Sequence, residues 1–278
     1  MPNDEQRDYW TDQAGPKWVE HRARLDAMLA PVTALLVAAI DAGPGERILD
    51  IGCGSGELAW LLAAKGAAVT GIDIAAPMVE AARRAGTGSA EFAVADASEF
   101  RAETPFDAAV SRFGVMFFSD PVAAFANIRA NLAPEGRLAF AFWQAPDRNL
   151  WAMVPAMAVR PLLPEAPPPD PHAPGPFAFA DEARVRGILE DAGFADIGFA
   201  AHVMAIGLSD GGGLEDATEF ACQIGPGAHA LGELDESERP RARAAIRAAL
   251  APHVDENGSV TLPGAIWLVR AIRPAERG

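Results

Sequence analysis

Between Ile48 and Leu58 the chain reads Ile-Leu-Asp-Ile-Gly-Cys-Gly-Ser-Gly-Glu-Leu, with glycines at 52, 54 and 56, every second position. A short apolar run enters this triplet and a segment of helical periodicity leaves it, so the glycines sit on a strand-to-helix turn. Glycine lets the chain turn sharply there and lets a ligand lie against bare backbone. The helix that follows presents unpaired N–H groups and a partial positive charge at its start. The plainer alternative is a glycine-rich turn with no ligand.

The flanking rhythm says what kind of sheet carries the turn. From Arg47 short continuous apolar runs alternate with helical stretches: RILDIGC, ELAWLLAAK, AVTGID, APMVEAARR, AEFAVAD, FDAAVSRF, VAAFANIRANL and GRLAFAFW. Buried strands alternating with helices predict an α/β fold, a parallel sheet covered on both faces. Asp120 and Pro121 are placed as N-cap and first turn of the 121–131 helix, and Pro134 and Gly136 mark its end. Before this pattern, Trp18, Leu25, Met28, Leu29, Val32, Leu35, Leu36, Ala39 and Ile40 recur at three- and four-residue steps and predict one or two helices over 15–42. After it, ten of the 23 prolines fall between Gln144 and Ala180. That density leaves room for one short helix near 151–159 and otherwise an extended connection. The apolar Trp143, Trp151, Met153 and Met157 at its start mark it as a functional lid. A helix over 181–194, a strand over 195–206, a break at Gly211–Gly213, a helical insertion and a final strand near 265–272 complete the reading. It is one domain over 1–278, with a helical cover 1–42, a Pro-rich lid 144–180 and an insertion 213–254.

Two ligand classes compete for the glycine loop. A nicotinamide dinucleotide takes G-x-G-x-x-G, its pyrophosphate over the helix start. Here the spacing is G-x-G-x-G, and Glu57 stands where the third glycine would fall, a carboxylate in the place of a pyrophosphate. A ligand with a zwitterionic amino-acid end suits the loop better.

The segment D-I-G-C-G-S-G-E resembles the first motif of the class I S-adenosylmethionine-dependent methyltransferases, and further elements match in order. Asp73, closing AVTGID, is similar to the acidic residue that holds both ribose hydroxyls. Asp96, in AVADAS, resembles the one that recognises the adenine amino group, helped by the Ala97 backbone. SRFGVMFFSDP and the L-x-P-x-G-R-L of residues 132–138 also fit. The resemblance covers residues 48–142 well. More loosely, the W-x7-W of the N-terminal helix, the AGF segment and the closing LPGAIWLVRA resemble a ubiquinone/menaquinone-biosynthesis-like small-molecule branch. It implies a Rossmann-like, seven-stranded, mostly parallel sheet with its last strand antiparallel. It implies S-adenosylmethionine as cofactor, S-adenosylhomocysteine as product, no metal, and a cofactor site of Trp18, Asp50, Gly52, Cys53, Gly54, Gly56, Asp73, Ile74, Met78, Asp96, Ala97, Ser111, Arg112 and Phe113. Met78 then faces the purine, while Ser111, Arg112 and Phe113 face the methionine end. Trp10 and Met116 face the acceptor.

Methyl transfer from a sulfonium is an in-line displacement that needs alignment in a dry pocket. A neutral hydroxyl acceptor needs a base in addition; of His21, His172, His202, His229 and His253, His21 and His229 lie in regions able to cover a pocket, and none is assigned. Apolar and aromatic cover residues point to a small hydrophobic or aromatic acceptor. No Asn-Pro-Pro-Tyr-like element follows the fourth strand and no Asp-Asp-Asn cluster occurs. Methylation of a base amino group and magnesium-dependent catechol chemistry are therefore disfavoured. With 23 Lys+Arg against 38 Asp+Glu the net charge is −15, which opposes nucleic-acid binding. Two cysteines, Cys53 and Cys222, give no disulfide framework. The polar N-terminus is unlike a secretory signal, and Met28–Ile40, interrupted by Pro31, is short for a bilayer span. The expectation is a cytoplasmic protein, monomer or homodimer. A non-catalytic cofactor-binding regulator and, behind it, a nicotinamide-dependent oxidoreductase are the alternatives.

Overall fold

The computed structural model describes residues 3–86, 88–165, 167 and 170–275; Pro168 and Pro169 of the Pro-rich segment lie outside them. The chain opens with α1 (Asp4–Asp8), a π-helical stretch over Tyr9–Ala14, α2 (Gly15–Glu20) and α3 (Arg22–Ile40). The sheet begins with β1 (Arg47–Ile51), α4 (Glu57–Ala64), β2 (Ala68–Asp73), α5 (Ala76–Ala85), β3 (Glu91–Val94) and β4 (Phe106–Arg112). It continues through α6 (Pro121–Asn131), β5 (Leu132–Trp143), α7 (Leu150–Val159), α8 (Glu182–Asp191) and β6 (Ala195–Gly207). The insertion follows as α9 (Gly213–Gln223), α10 (Pro226–Gly232) and α11 (Arg239–Leu250), and β7 (Thr261–Ile272) closes the chain.

The seven strands run in the order β3-β2-β1-β4-β5-β7-β6. All neighbours are parallel except at β7, which lies antiparallel between β5 and β6. This is the Rossmann-like sheet with an antiparallel last strand that the resemblance implies. The chain moves outward from β1 to β3 and returns to place β4 on the other side of β1. In such sheets a crevice opens at that reversal, beyond the carboxyl ends of the strands. The strands there are buried on both faces, with Ile48, Leu49, Ala108, Ala109 and Val110 at most 1% exposed, which is why they read as continuous apolar runs.

Asp120 caps α6 as expected, its side chain accepting from the Ala123 N–H at 3.0 Å. Residues 15–42 form two helices, α2 and α3, within the range the spacing predicts, and α1 and a π-helical stretch precede them. Two expectations change. β5 starts at Leu132, four residues before Gly136, taking in the Pro-containing turn. And α3 runs unbroken through Pro31 for 19 residues, so it is long and apolar enough to cross a membrane. In the fold Leu25, Leu29, Val32, Leu36 and Ile40 are buried, the pattern of a core helix.

Candidate functional site

Beyond the carboxyl ends of β1, β2 and β4 lies a cavity of about 860 Å³, lined by the glycine loop, the N-terminal helices, the Pro-rich segment and α10. Its floor is backbone. Gly52, Gly54 and Gly56 all have left-handed φ, +62°, +55° and +87°, a region that disfavours residues with a Cβ. A Cβ on Gly52 would stand 2.8 Å from the Gly114 Cα, because the loops after β1 and β4 cross there. Gly56 has no place on the cavity lining. Its missing Cβ makes room for Phe92 and Ala82, each 3.0 Å from where that atom would be.

Asp73 ends β2 behind this loop. Its Oδ2 accepts from the Gly54 N–H and its Oδ1 from the Ala75 N–H, each at 2.9 Å. Burial pushes its carboxyl up, against the pull of those backbone donors. A carboxylate accepts about four hydrogen bonds, so both oxygens keep a lone pair for donors from the cavity. Asp50, on β1, is 1% exposed and its Oδ2 has no hydrogen-bond partner. Burial raises it to about 7, the Arg112 charge opposing and the Asp73 charge adding. A buried oxygen left unpaired beside a cavity is the place for a donor or cation brought by a ligand.

Asp96 follows β3 and is held tightly. Oδ1 accepts from the Ser98 N–H at 2.8 Å and the Ser98 hydroxyl at 2.7 Å, and the Asn3 amide donates to both oxygens at 3.0 and 2.9 Å. Ala97 beside it is fixed through its carbonyl, which accepts from Asn127 Nδ2 at 2.8 Å. Trp18, Cys53, Ile74 and Met78 also line the cavity. The Cys53 thiol is buried and held far from ionisation, first by desolvation and then by Asp73 and Asp50, so its part is a backbone one.

The end of β4 departs from expectation. Ser111 is fully buried, donates to the Ile51 carbonyl at 2.7 Å and accepts from the Gly114 N–H at 3.2 Å. It braces the two crossing loops and does not reach the cavity. Arg112 lines the cavity, but its guanidinium binds Glu57, donates to Thr33 Oγ1 at 2.6 Å and lies 3.5 Å from Asp26. Glu57 is therefore no free carboxylate over the loop, and that electrostatic objection to a pyrophosphate falls; the glycine spacing remains. Phe113 does face the cavity, in a left-handed backbone at φ +67°. Such strain persists only where the surroundings fix it, and here its ring stacks on Trp143 at 4.3 Å and 11°.

Trp143 continues into Trp151, 4.9 Å away. Opposite, Trp10 packs edge-on against Trp18 at 5.5 Å and Phe117 at 5.2 Å, and Tyr9 lies 6.3 Å from His229 of α10. Trp10 and Met116 both line the cavity. His229, placed by the sequence in a region able to cover a pocket, lines it, and Asn3, Gln6, Arg22 and Asp26, none of them singled out, line it too. Of these only the apolar periodicity of α3 could have located Arg22 and Asp26, by the face they share with Leu25 and Leu29. Among the described residues no group of three or more His, Cys, Asp or Glu side chains could hold a metal ion.

Comparison with known proteins fits this geometry. Residues 48–136 match the family described as "Methyltransferase domain". The chain is 34% identical over 162 residues to a ubiquinone biosynthesis O-methyltransferase of Xanthomonas campestris pv. campestris, covering 56% of this chain and 65% of that one. It is 33% identical over 150 residues to the nocamycin O-methyltransferase of Saccharothrix syringae, covering 49% and 53%. The chain thus spans less than two thirds of the length of these relatives. Among solved structures, magnesium protoporphyrin IX methyltransferase from Synechocystis PCC 6803 with bound S-adenosylhomocysteine superposes with a TM-score of 0.55 at 18% identity, over 97% of this chain and 99% of that one. At that identity the likeness is one of fold. The matched stretch, β1 to the start of β5, carries the glycine loop, Asp73 and Asp96, and over these residues the chain is similar to a methyltransferase domain.

Proposed function

We propose that the chain transfers a methyl group from S-adenosylmethionine to a small, neutral, hydrophobic or aromatic acceptor. The observation that carries this is the continuity of one cavity of about 860 Å³, from the glycine loop, Asp73 and Asp96 at one end to the Phe113–Trp143–Trp151 wall and Pro-rich segment at the other. The residues present fit the cofactor. Asp73 keeps two lone pairs for the ribose hydroxyls and Asp96 one for the adenine amino group. Asp50 offers its unpaired oxygen to the ammonium of the amino-acid end, and Met78 lies along the purine. When bound, the cofactor supplies an electrophilic methyl on sulfonium, which an in-line displacement passes to the acceptor.

The protein's part is to align and to exclude water. Pro171, Pro174, Pro176 and Phe177 cover the cavity from one side, and Trp10 and Met116 from another. The lining guanidinium groups, Arg22 and Arg112, share Asp26 at 3.4 and 3.5 Å. Among the described lining residues these guanidinium groups leave no surplus positive charge to hold an anionic acceptor, which favours a neutral one. We place the enzyme in the cytoplasm, as a monomer or homodimer.

Titration of S-adenosylmethionine, S-adenosylhomocysteine and NADH by calorimetry tests the reading, with Asp73→Ala alongside. Micromolar binding of the first two, lost in the variant, is expected; binding of NADH alone overturns it. Methyl transfer is then followed with neutral phenols against their carboxylated counterparts. A preference for the carboxylated compounds refutes the neutral acceptor.

A further inference from the structure

Asn3 precedes α1, where an asparagine ordinarily caps the helix through its side chain. It makes no such cap. The residue is only 4% exposed, and its side-chain bonds go elsewhere: Oδ1 accepts from the Ser119 N–H at 3.0 Å, while Nδ2 donates to both oxygens of Asp96 and reaches Ser98 Oγ at 3.4 Å. The Ser119 donor fixes which way the amide points, since a flipped amide would set its oxygen against the carboxylate. One side chain from the N-terminus thus ties the loop after β3 to the loop after β4.

The lone pairs of Asp96 can be counted. Oδ1 takes three donors, Ser98 N–H, Ser98 Oγ and Asn3 Nδ2, and is saturated; Oδ2 takes Asn3 alone. One acceptor position on Oδ2 is left, and Asp96 lines the cavity. One turn further on the same helix face, as i and i+3 positions are, Gln6 also lines the cavity, and its Oε1 is buried with no partner. A primary aromatic amine carries two hydrogens and wants two acceptors.

Resting on the proposed function, we propose that α1 completes the purine subsite: Asn3 is a positioning residue that aims Oδ2 of Asp96, and Gln6 takes the second hydrogen of the 6-amino group. The site therefore reads the amino group through a pair of acceptors that exists only while α1 is docked. A 6-oxo purine, an acceptor at that position, sets its oxygen against those of Asp96 and Gln6 and forms neither hydrogen bond.

The test is the ratio of affinities for S-adenosylhomocysteine and S-inosylhomocysteine, measured by calorimetry on the full chain, Asn3→Leu and Gln6→Leu. The unaltered chain is expected to prefer the adenosyl compound by about 100-fold, since two buried acceptors lose their donors. Each variant is expected to lower that ratio to about 10-fold, chiefly through weaker binding of the adenosyl compound. Gln6→Glu, which keeps an acceptor in place, is expected to keep the preference. A purely structural role for α1 weakens both ligands together and leaves the ratio alone. A ratio within about twofold of the unaltered chain's in either Leu variant overturns the assignment of that residue. Failure of the unaltered chain to bind S-adenosylhomocysteine at all removes the proposed function and this inference with it.

Discussion

Replacing Asp50 by Asn should change how stability depends on pH. In the fold its carboxyl sits at about 7, against an ordinary value of 3.8. The folded state therefore holds a proton that the unfolded chain has released, and stability falls as pH rises from about 4 to about 7 and is flat above. Three units at 1.36 kcal/mol each amount to about 4 kcal/mol lost over that window from this one group. The Asp50→Asn chain keeps a neutral amide throughout and has no such term. Its own orphan polar atom costs the same at every pH, so it cancels from the slope. Urea unfolding at pH 5, 6, 7 and 8, on the unaltered chain and Asp50→Asn, isolates the difference from every other titrating group. The two stabilities should diverge by a few kcal/mol between pH 5 and 8, with the variant gaining. Parallel curves would refute the reasoning. Under the proposed function the ligand inverts the effect: an ammonium paired with Asp50 would favour its ionised form, so binding of S-adenosylhomocysteine near pH 7 should release a fraction of a proton. Calorimetry in buffers of different ionisation enthalpy reads that proton, and Asp50→Asn should abolish it.

Under the proposed function, Asp73→Asn removes the charge offered to the ribose hydroxyls and should weaken S-adenosylhomocysteine by about 10- to 100-fold in calorimetry. Gly52→Ala sets a Cβ 2.8 Å from the Gly114 Cα at φ +62° and should cost about 2–4 kcal/mol in thermal unfolding, since both neighbours are backbone. Arg112→Ala leaves Glu57 buried beside Asp26 without its cation and should cost about 3–5 kcal/mol at neutral pH. Burial already pushes Glu57 up, so the Arg112→Ala deficit should shrink as pH falls and Glu57 takes a proton. The double variant with Glu57→Gln should recover part of it. Trp143→Ala opens the stack between Phe113 and Trp151 and should cost about 3–5 kcal/mol by the same measurement.

The parts of this molecule that were legible in its sequence are those where one local rule governs several residues at once. Strands buried on both faces must be continuously apolar, so β1, β2, β4 and β5 announce themselves, and a backbone that three glycines hold at positive φ announces the loop. Asp73 and Asp96 could be found because one ends β2 and the other lies just beyond β3, in the order of the motif that the glycine loop opens. The sequence was silent where a contact joins residues far apart with no pattern between them. Arg112 reads as a free cation at a strand end until the fold brings Glu57, Thr33 and Asp26 to it from two helices. Asn3 reads as a polar residue at a chain end, and only the docking of α1 across the loops after β3 and β4 turns it into the partner of Asp96. The two kinds of residue do different work. The locally encoded ones build the glycine floor of the cavity, inside the stretch that matches the methyltransferase domain, whereas the aromatic wall and the α1 contacts come from segments with no local rule. Under the proposed function, acceptor preference should therefore trace to residues 3–28, 143–181 and 224–229 of this chain. Exchanging those segments should move acceptor preference while leaving the Asp73-dependent affinity for S-adenosylhomocysteine in place. A swap that abolishes that affinity would show the two halves of the cavity to be one cooperative unit.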